Sequence, residues 1–269
     1  MDEPPIIRPL SDADLRELLR AKALLERPGL AIRLANLVGS PLEKGFAMLP
    51  KNWNSVVNKA AHRALMKALN VAVATLGQPT GRGSREFSHK VMAGMSGGFG
   101  GLFGLAALPI ELPISTTIMM RSIADVARSE GHDLSNIETR LSCLEVFALG
   151  CKEATPESAQ SAYWATRAAL TQSISEAASH IARKGVVSES APAIARLIAQ
   201  IAARFGVVIS EEVAAKAVPI LGAVGGGTIN VMFITHFQAV ARGHFIIQRL
   251  EKQHGRDQLR TAYEQLLLK

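Results

Sequence analysis

The chain has 269 residues, of which 48% are apolar and 20% charged, with 13 aromatics and two cysteines. This mixture is too apolar and too even for a disordered or collagen-like polymer, and two cysteines cannot build a disulfide scaffold. The 30 Lys and Arg, 19 of them Arg, stand against 23 Asp and Glu and leave a net charge of +7, which favours an anionic partner.

The N-terminus, Met1-Asp2-Glu3-Pro4-Pro5, is acidic and proline-rich and lacks the basic and apolar regions of a signal peptide, so a cytoplasmic protein is expected. Asp12 to Arg27 carries Leu15, Leu18, Leu19 and Leu25 on one stripe and stops before Pro28-Gly29, which predicts an amphipathic first helix. A longer helix is predicted over 53–76, closed by Leu76-Gly77-Gln78-Pro79, and Thr80 to Arg85 is the clearest loop. Ser135-Asn136-Ile137-Glu138 fits a capping box that opens a helix running to Gly150. Cys143 and Cys151 lie across that helix end with no second pair to make a zinc site, and are expected as reduced thiols. Thr155-Pro156 opens a helix to Arg183 with Gly185 beyond it; Ser188 to Gly206 gives another, and Ser210-Glu211-Glu212 reads as the start of a further one. The charged last 25 residues are broken by Gly255. Alternation with period two is nearly absent, so the fold class is all-α, a multi-helix bundle of about nine or ten helices. Residues 1–30 form a tail and amphipathic helix, and 31–269 the helical domain.

Two segments depart from this pattern. Val91 to Ile110 is 20 residues without a charge, and Ala217 to Ala241 is 25, both long enough for a bilayer span. The mean hydropathy of the chain, +0.17, is raised by them. Both are glycine-rich. Gly94 and Gly98, Gly97 and Gly101, Gly100 and Gly104, and Gly222 and Gly226 are each four apart, a spacing that lets helix backbones approach closely, in lipid or in a tight soluble bundle. The expectation is two central segments packed through these glycines.

Chemical motifs are sparse. The dipeptide Gly-Lys of a phosphate loop never occurs, and Phe103 stands where a dinucleotide-binding loop needs its third glycine. Gly94-Met95-Ser96-Gly97-Gly98 matches a nucleophile elbow in letters, and Glu111, Glu145, His236 and His244 supply acids and imidazoles later in the chain, but the elbow needs an α/β sheet. Glu86-Phe87-Ser88-His89 is a single Glu-x-x-His, short of a di-iron set. No metal and no cofactor are expected. The aromatics are scattered, with no spacing typical of base-reading modules, so no nucleic acid is expected either.

The polar residues inside the apolar segments carry more weight. Glu111 lies between Pro109 and Pro113, Arg121 and Asp125 are four apart on one helix face, and Asn230, Phe237 and His244 repeat every seven with His236 beside them. A charge or imidazole in such surroundings needs a partner or a shifted pKa. This predicts a buried network joining Glu111, Arg121 and Asp125 to Asn230, His236 or His244.

Several dispersed blocks resemble the EcsC protein family: Pro109-Ile110-Glu111-Leu112-Pro113 running on to Met120-Arg121-Ser122, then Leu141 to Gly150, then Pro219 to Ala223, His236-Phe237, and Ala241-Arg242-Gly243-His244-Phe245 with Arg249-Leu250-Glu251. The resemblance spans roughly residues 35–265. It carries no catalytic residue; the family takes its name from a bacterial protein encoded beside components of an ATP-binding-cassette transporter. A cytoplasmic protein peripheral to the inner membrane fits that association, the positive charge and the glycine-rich segments, with anionic lipid, a membrane protein or a second copy of the chain as partner. Two other readings stand beside it: a peptidase-like hydrolase using Ser96 or a Glu111/His236 cluster, and a soluble carrier of an apolar ligand.

Overall fold

The computed structural model describes residues 9–26, 29–38, 42–76, 104–151, 156–185, 187–217 and 226–266. Among them are ten α-helices and no strand, the all-α architecture expected: α1 (Asp12–Leu25), α2 (Leu30–Val38), α3 (Leu42–Ala47), α4 (Trp53–Thr75), α5 (Gly104–Ser129), α6 (Ile137–Leu149), α7 (Pro156–Lys184), α8 (Pro192–Ala217), α9 (Gly226–His254) and α10 (Arg256–Gln265).

Local chemistry sets the ends of these helices. Ser11 accepts from the Asp14 amide while the Asp14 carboxylate accepts from the Ser11 amide, so the reciprocal capping box of the chain opens α1. At α6 the expected box resolves differently. Asn136 is the cap and its Oδ1 accepts from the Glu138 amide at 2.8 Å, because Ser135 is held in a turn by Asp133. Gly185 takes φ +66° after α7, and Gly255 takes φ +81° between α9 and α10, left-handed values at the chain reversals that side-chain-bearing residues rarely adopt.

One expected interruption is absent. Residues 188–217 do not divide at Gly206 and Ser210; α8 runs unbroken to Ala217. The Ser210 hydroxyl donates to the Gly206 carbonyl at 2.7 Å instead of capping a new helix, while the buried stripe Ile198, Ile201, Phe205, Ile209, Glu212 continues through the join. Helix α5 passes through Pro109 and Pro113. Proline leaves the carbonyl four residues before it without its helical donor; separately, Thr117 donates to the Pro113 carbonyl at 2.7 Å and Ser115 to the Leu112 carbonyl at 3.1 Å.

The core is built around α8 and α9. α8 touches α2, α3, α4, α6 and α7, while α9 packs on α1, α5, α6 and α10. Between them α6 is buried on every side from Leu141 to Leu149, as expected of a helix that is apolar all round. Phe147 of α6 meets Phe205 of α8 with ring centroids at 4.9 Å and Phe237 of α9 at 5.4 Å. The first helix is no appendage to this core. Leu18, Ala21 and Leu25 are buried against α9, and Gly243 leaves the room: a Cβ there would come within 2.7 Å of Leu25 Cγ and 3.1 Å of the Ala21 carbonyl.

Cationic and imidazole side chains from other segments close helix C-terminal ends, where carbonyls lack intrahelical donors. Arg140 donates to Val73 at 2.8 Å and Arg128 to Leu76 at 3.4 Å at the end of α4. Arg204 donates to Ala148 at 3.3 Å at the end of α6, and buried Lys22 of α1 donates to Tyr263 at 2.8 Å near the end of α10.

Candidate functional site

The densest group of buried polar side chains among the described residues lies where α6, α7 and α9 meet. Glu145 is the single charge in an otherwise apolar turn of α6. It faces His244 of α9, whose Nε2 stands 3.6 Å from Glu145 Oε2, too far for a hydrogen bond. The other ring nitrogen, Nδ1, is 3.3 Å from the Tyr163 hydroxyl of α7. One turn along α7, Arg167 forms a two-pronged pair with Glu251 of α9, both N–O distances being 2.7 Å. The guanidinium also lies over the Tyr163 and Trp164 rings.

Burial decides the protonation of this group. It pushes the Glu145 carboxyl up to about 7, against the pull of Arg167, and holds the His244 imidazole well below its ordinary value, helped by the positive charge of Arg167 and by His132. Tyr163 is raised above its ordinary value by the same burial. Near neutrality the site therefore holds a neutral imidazole, a neutral phenol, a carboxyl divided between its two states and one compensated ion pair. Glu145 and His244 are 4% and 0% exposed, so in this arrangement neither reaches a substrate in solvent, and the cluster organises the core.

Two of the blocks that suggested a family converge here. Gly150, at the end of α6, carries no side chain because the Phe237 ring occupies the place: a Cβ would lie 2.3 Å from Phe237 Cε1. Its carbonyl accepts from His236 Nε2 at 2.7 Å, which fixes the proton on that nitrogen. In the sequence Gly243-His244-Phe245, the glycine admits α1, the imidazole meets Glu145 and Tyr163, and the Phe245 carbonyl accepts from His132 Nε2 at 2.8 Å. The dispersed motif is thus a packing code in which each letter meets a different neighbour. The EcsC protein family matches the chain over residues 12–250. The chain belongs to the EcsC protein family. The match begins at the first residue of α1, so it takes in the helix that the resemblance alone left outside. No curated protein and no solved structure matches the chain.

The residues singled out from sequence lie in several places. His244 belongs to the buried cluster; His236 is buried one face away on Gly150. Glu111, half-buried on α5, has its pKa raised by burial, with Lys216 pulling it down and Glu212 pushing it up, so its neighbours are on the end of α8. Arg121 is half-buried on α5, and Asp125 pairs with Arg128 at 2.8 Å. Spacing of three wins over spacing of four there, with the other arm of Arg128 reaching the end of α4. Asn230 lies in α9, and Gly104 and Gly226 open α5 and α9. Ser96, Gly94, Gly97, Gly98, Gly101 and Gly222 fall outside the described residues. Among the described residues no group of His, Cys, Asp and Glu has the make-up of a metal site, and Cys143 is a buried thiol.

Tyr163, Arg167 and Glu251 are the residues of the cluster that sequence reasoning did not assemble. The signal was present at Glu145: one carboxylate in the run Leu141 to Gly150 has to be answered by something polar from another helix.

Proposed function

We propose that this EcsC-family protein works at the cytoplasmic face of a membrane as a peripheral interaction protein, engaging anionic lipid or a membrane component such as a transporter, without a reaction of its own. The observation that carries the reading is the placement of three large exposed apolar side chains, Ile110 (72% exposed) and Ile114 (46%) on α5 and Val231 (60%) on α9. The Gln238 amide donates to the Ser122 hydroxyl at 2.8 Å, and Arg242 pairs with Glu130 at 3.3 Å, so α5 and α9 run parallel. Counting back from the Ser122–Gln238 contact at about 1.5 Å per residue, Ile114 and Val231 lie at nearly the same height, about 11–12 Å toward the helix starts. Ile110, Ile114 and Val231 therefore lie toward the end where both uncharged segments lead into these helices, while Met48 and Val207 are exposed on other elements. A net charge of +7 adds attraction to an acidic surface.

One described helix, α8, is long and apolar enough to cross a membrane, but half of its most apolar stretch is buried inside the protein; peripheral attachment needs no such helix. The same axial count separates Glu111 from His236 by about 13 Å, and His236 is spent on Gly150, so the hydrolase reading gains no support from that pair.

Flotation with phosphatidylglycerol-containing vesicles tests the proposal. Binding at low salt that weakens at high salt and is lost in an Ile110→Glu/Val231→Glu variant is expected. Wild-type protein that stays unbound at low salt, or a double variant that binds as well as wild type, overturns it. In cells, release of the protein from the membrane pellet by high salt, before carbonate, is the matching result.

A further inference from the structure

Away from the buried cluster and from the apolar end, α7 and α8 enclose a cleft of about 440 Å³. It is within the size range of small-molecule sites, about 300–1,000 Å³. The two helices run antiparallel: Glu176 pairs with Arg196 at 2.7 Å, while residues 162–170, earlier in α7, share the cleft with Gln200 and Arg204, later in α8. The α7 side of the cleft is formed by Ala162, Ala165 and Ala169, which present methyl groups, and the polar contributors are Thr166, Gln200 and Arg204.

Two of these polar groups are underused by the protein itself. Thr75, Thr117, Thr171 and Thr235, which are also helical, each donate a hydroxyl proton to the carbonyl four residues back at 2.7 Å. Thr166 is 4% exposed, lines the cleft, and makes no such bond. A hydroxyl not spent on its own helix can donate to a group held in the cleft. Arg204 uses its Nε on the Ala148 carbonyl, and among the described residues no carboxylate pairs with its guanidinium. A cation and a hydroxyl thus line a cleft together with Gln200, Leu170 and three alanines.

We propose that this cleft binds a small amphiphile with an anionic head, a carboxylate accepting from Arg204 and Thr166 while a short hydrocarbon chain lies along Ala162, Ala165 and Ala169. The wall from Ala162 to Ala169 is about 10 Å long at helical rise, which suits a medium-length chain and excludes a folded partner. Guanidinium and hydroxyl donors give a carboxylate charge-assisted bonds that a neutral head cannot match. The site is independent of the membrane-facing end and stands or falls separately from it.

Isothermal titration of the full chain with octanoate, in the absence of vesicles, tests the assignment, with 1-octanol as the uncharged probe. Octanoate is expected to bind saturably and 1-octanol at least about tenfold more weakly. Ala165→Trp fills an exposed part of the cleft and should abolish binding with an unchanged melting temperature. Thr166→Val removes the hydroxyl at nearly constant volume and should weaken octanoate severalfold without loss of stability. Arg204→Gln keeps a donor for Ala148 but should cost about tenfold in affinity. Equal binding of the two probes, retention of octanoate by Ala165→Trp, or no saturable binding of octanoate overturns the proposal.

Discussion

Glu145 gives the fold a pH dependence of unusual sign. In the unfolded chain its carboxyl titrates near the ordinary 4.5, whereas burial between α6, α7 and α9 pushes it up to about 7. Between these values the folded protein holds a proton that the unfolded chain has released, so stability from this group is full below about pH 4.5 and falls as pH rises toward 7. At about 1.4 kcal/mol per pH unit, the difference amounts to about 3 kcal/mol lost by pH 8. The imidazole of His244, held well below 6.5 by burial, acts in the opposite sense: the unfolded chain binds the proton, and stability grows as pH rises toward 6.5. A Glu145→Gln variant reports on the carboxyl because groups outside the cluster cancel in the comparison. Urea unfolding of both proteins at pH 5 and pH 8 should show Glu145→Gln ahead of wild type by less than about 1 kcal/mol at the lower pH and by up to about 3 kcal/mol at the higher. A difference that stays constant across that range would refute the placement of Glu145 as a desolvated, uncompensated acid.

Gly150→Ala should cost about 1–3 kcal/mol, because its methyl would lie 2.3 Å from the Phe237 ring, and Phe237→Leu in the same chain should recover part of that loss in thermal melts. Arg167→Met leaves Glu251 charged with its partner gone, at 12% side-chain exposure, and should destabilise by about 3–5 kcal/mol. The double variant Arg167→Met/Glu251→Met should lose less than the two single variants summed, as read from a double-mutant cycle in denaturant.

The long helices were legible from punctuation. Gly185 and Gly255 mark stops because only their backbone takes the required φ, and Pro156 marks a start because the first helical residue needs no donor. The same reasoning misplaced a boundary at Ser210, since a serine side chain serves equally as a cap or as a donor to the carbonyl one turn back, and only the continuous buried stripe of α8 decides between them. The partners of the buried histidines lie far away in the sequence. His244 meets a tyrosine 81 residues away and His236 a backbone carbonyl 86 residues away, and neither tertiary pairing leaves a local trace. The approach of α1 to Gly243 was hidden for the same reason. A leucine stripe states that a face will be covered without stating by what.

The docking of α1 onto α9 also has a consequence in time. Lys22 reaches Tyr263 across 241 positions, and Leu25 packs where Gly243 leaves space. On a ribosome adding about 5–20 residues per second, the leucine stripe of α1 therefore emerges roughly 10–50 s before the surface that covers it. During that interval Leu18 and Leu25 are open to any apolar surface, and a chaperone, the forming bundle or a second nascent chain can take the place of α9. Helices α9 and α10 thus complete the burial of α1.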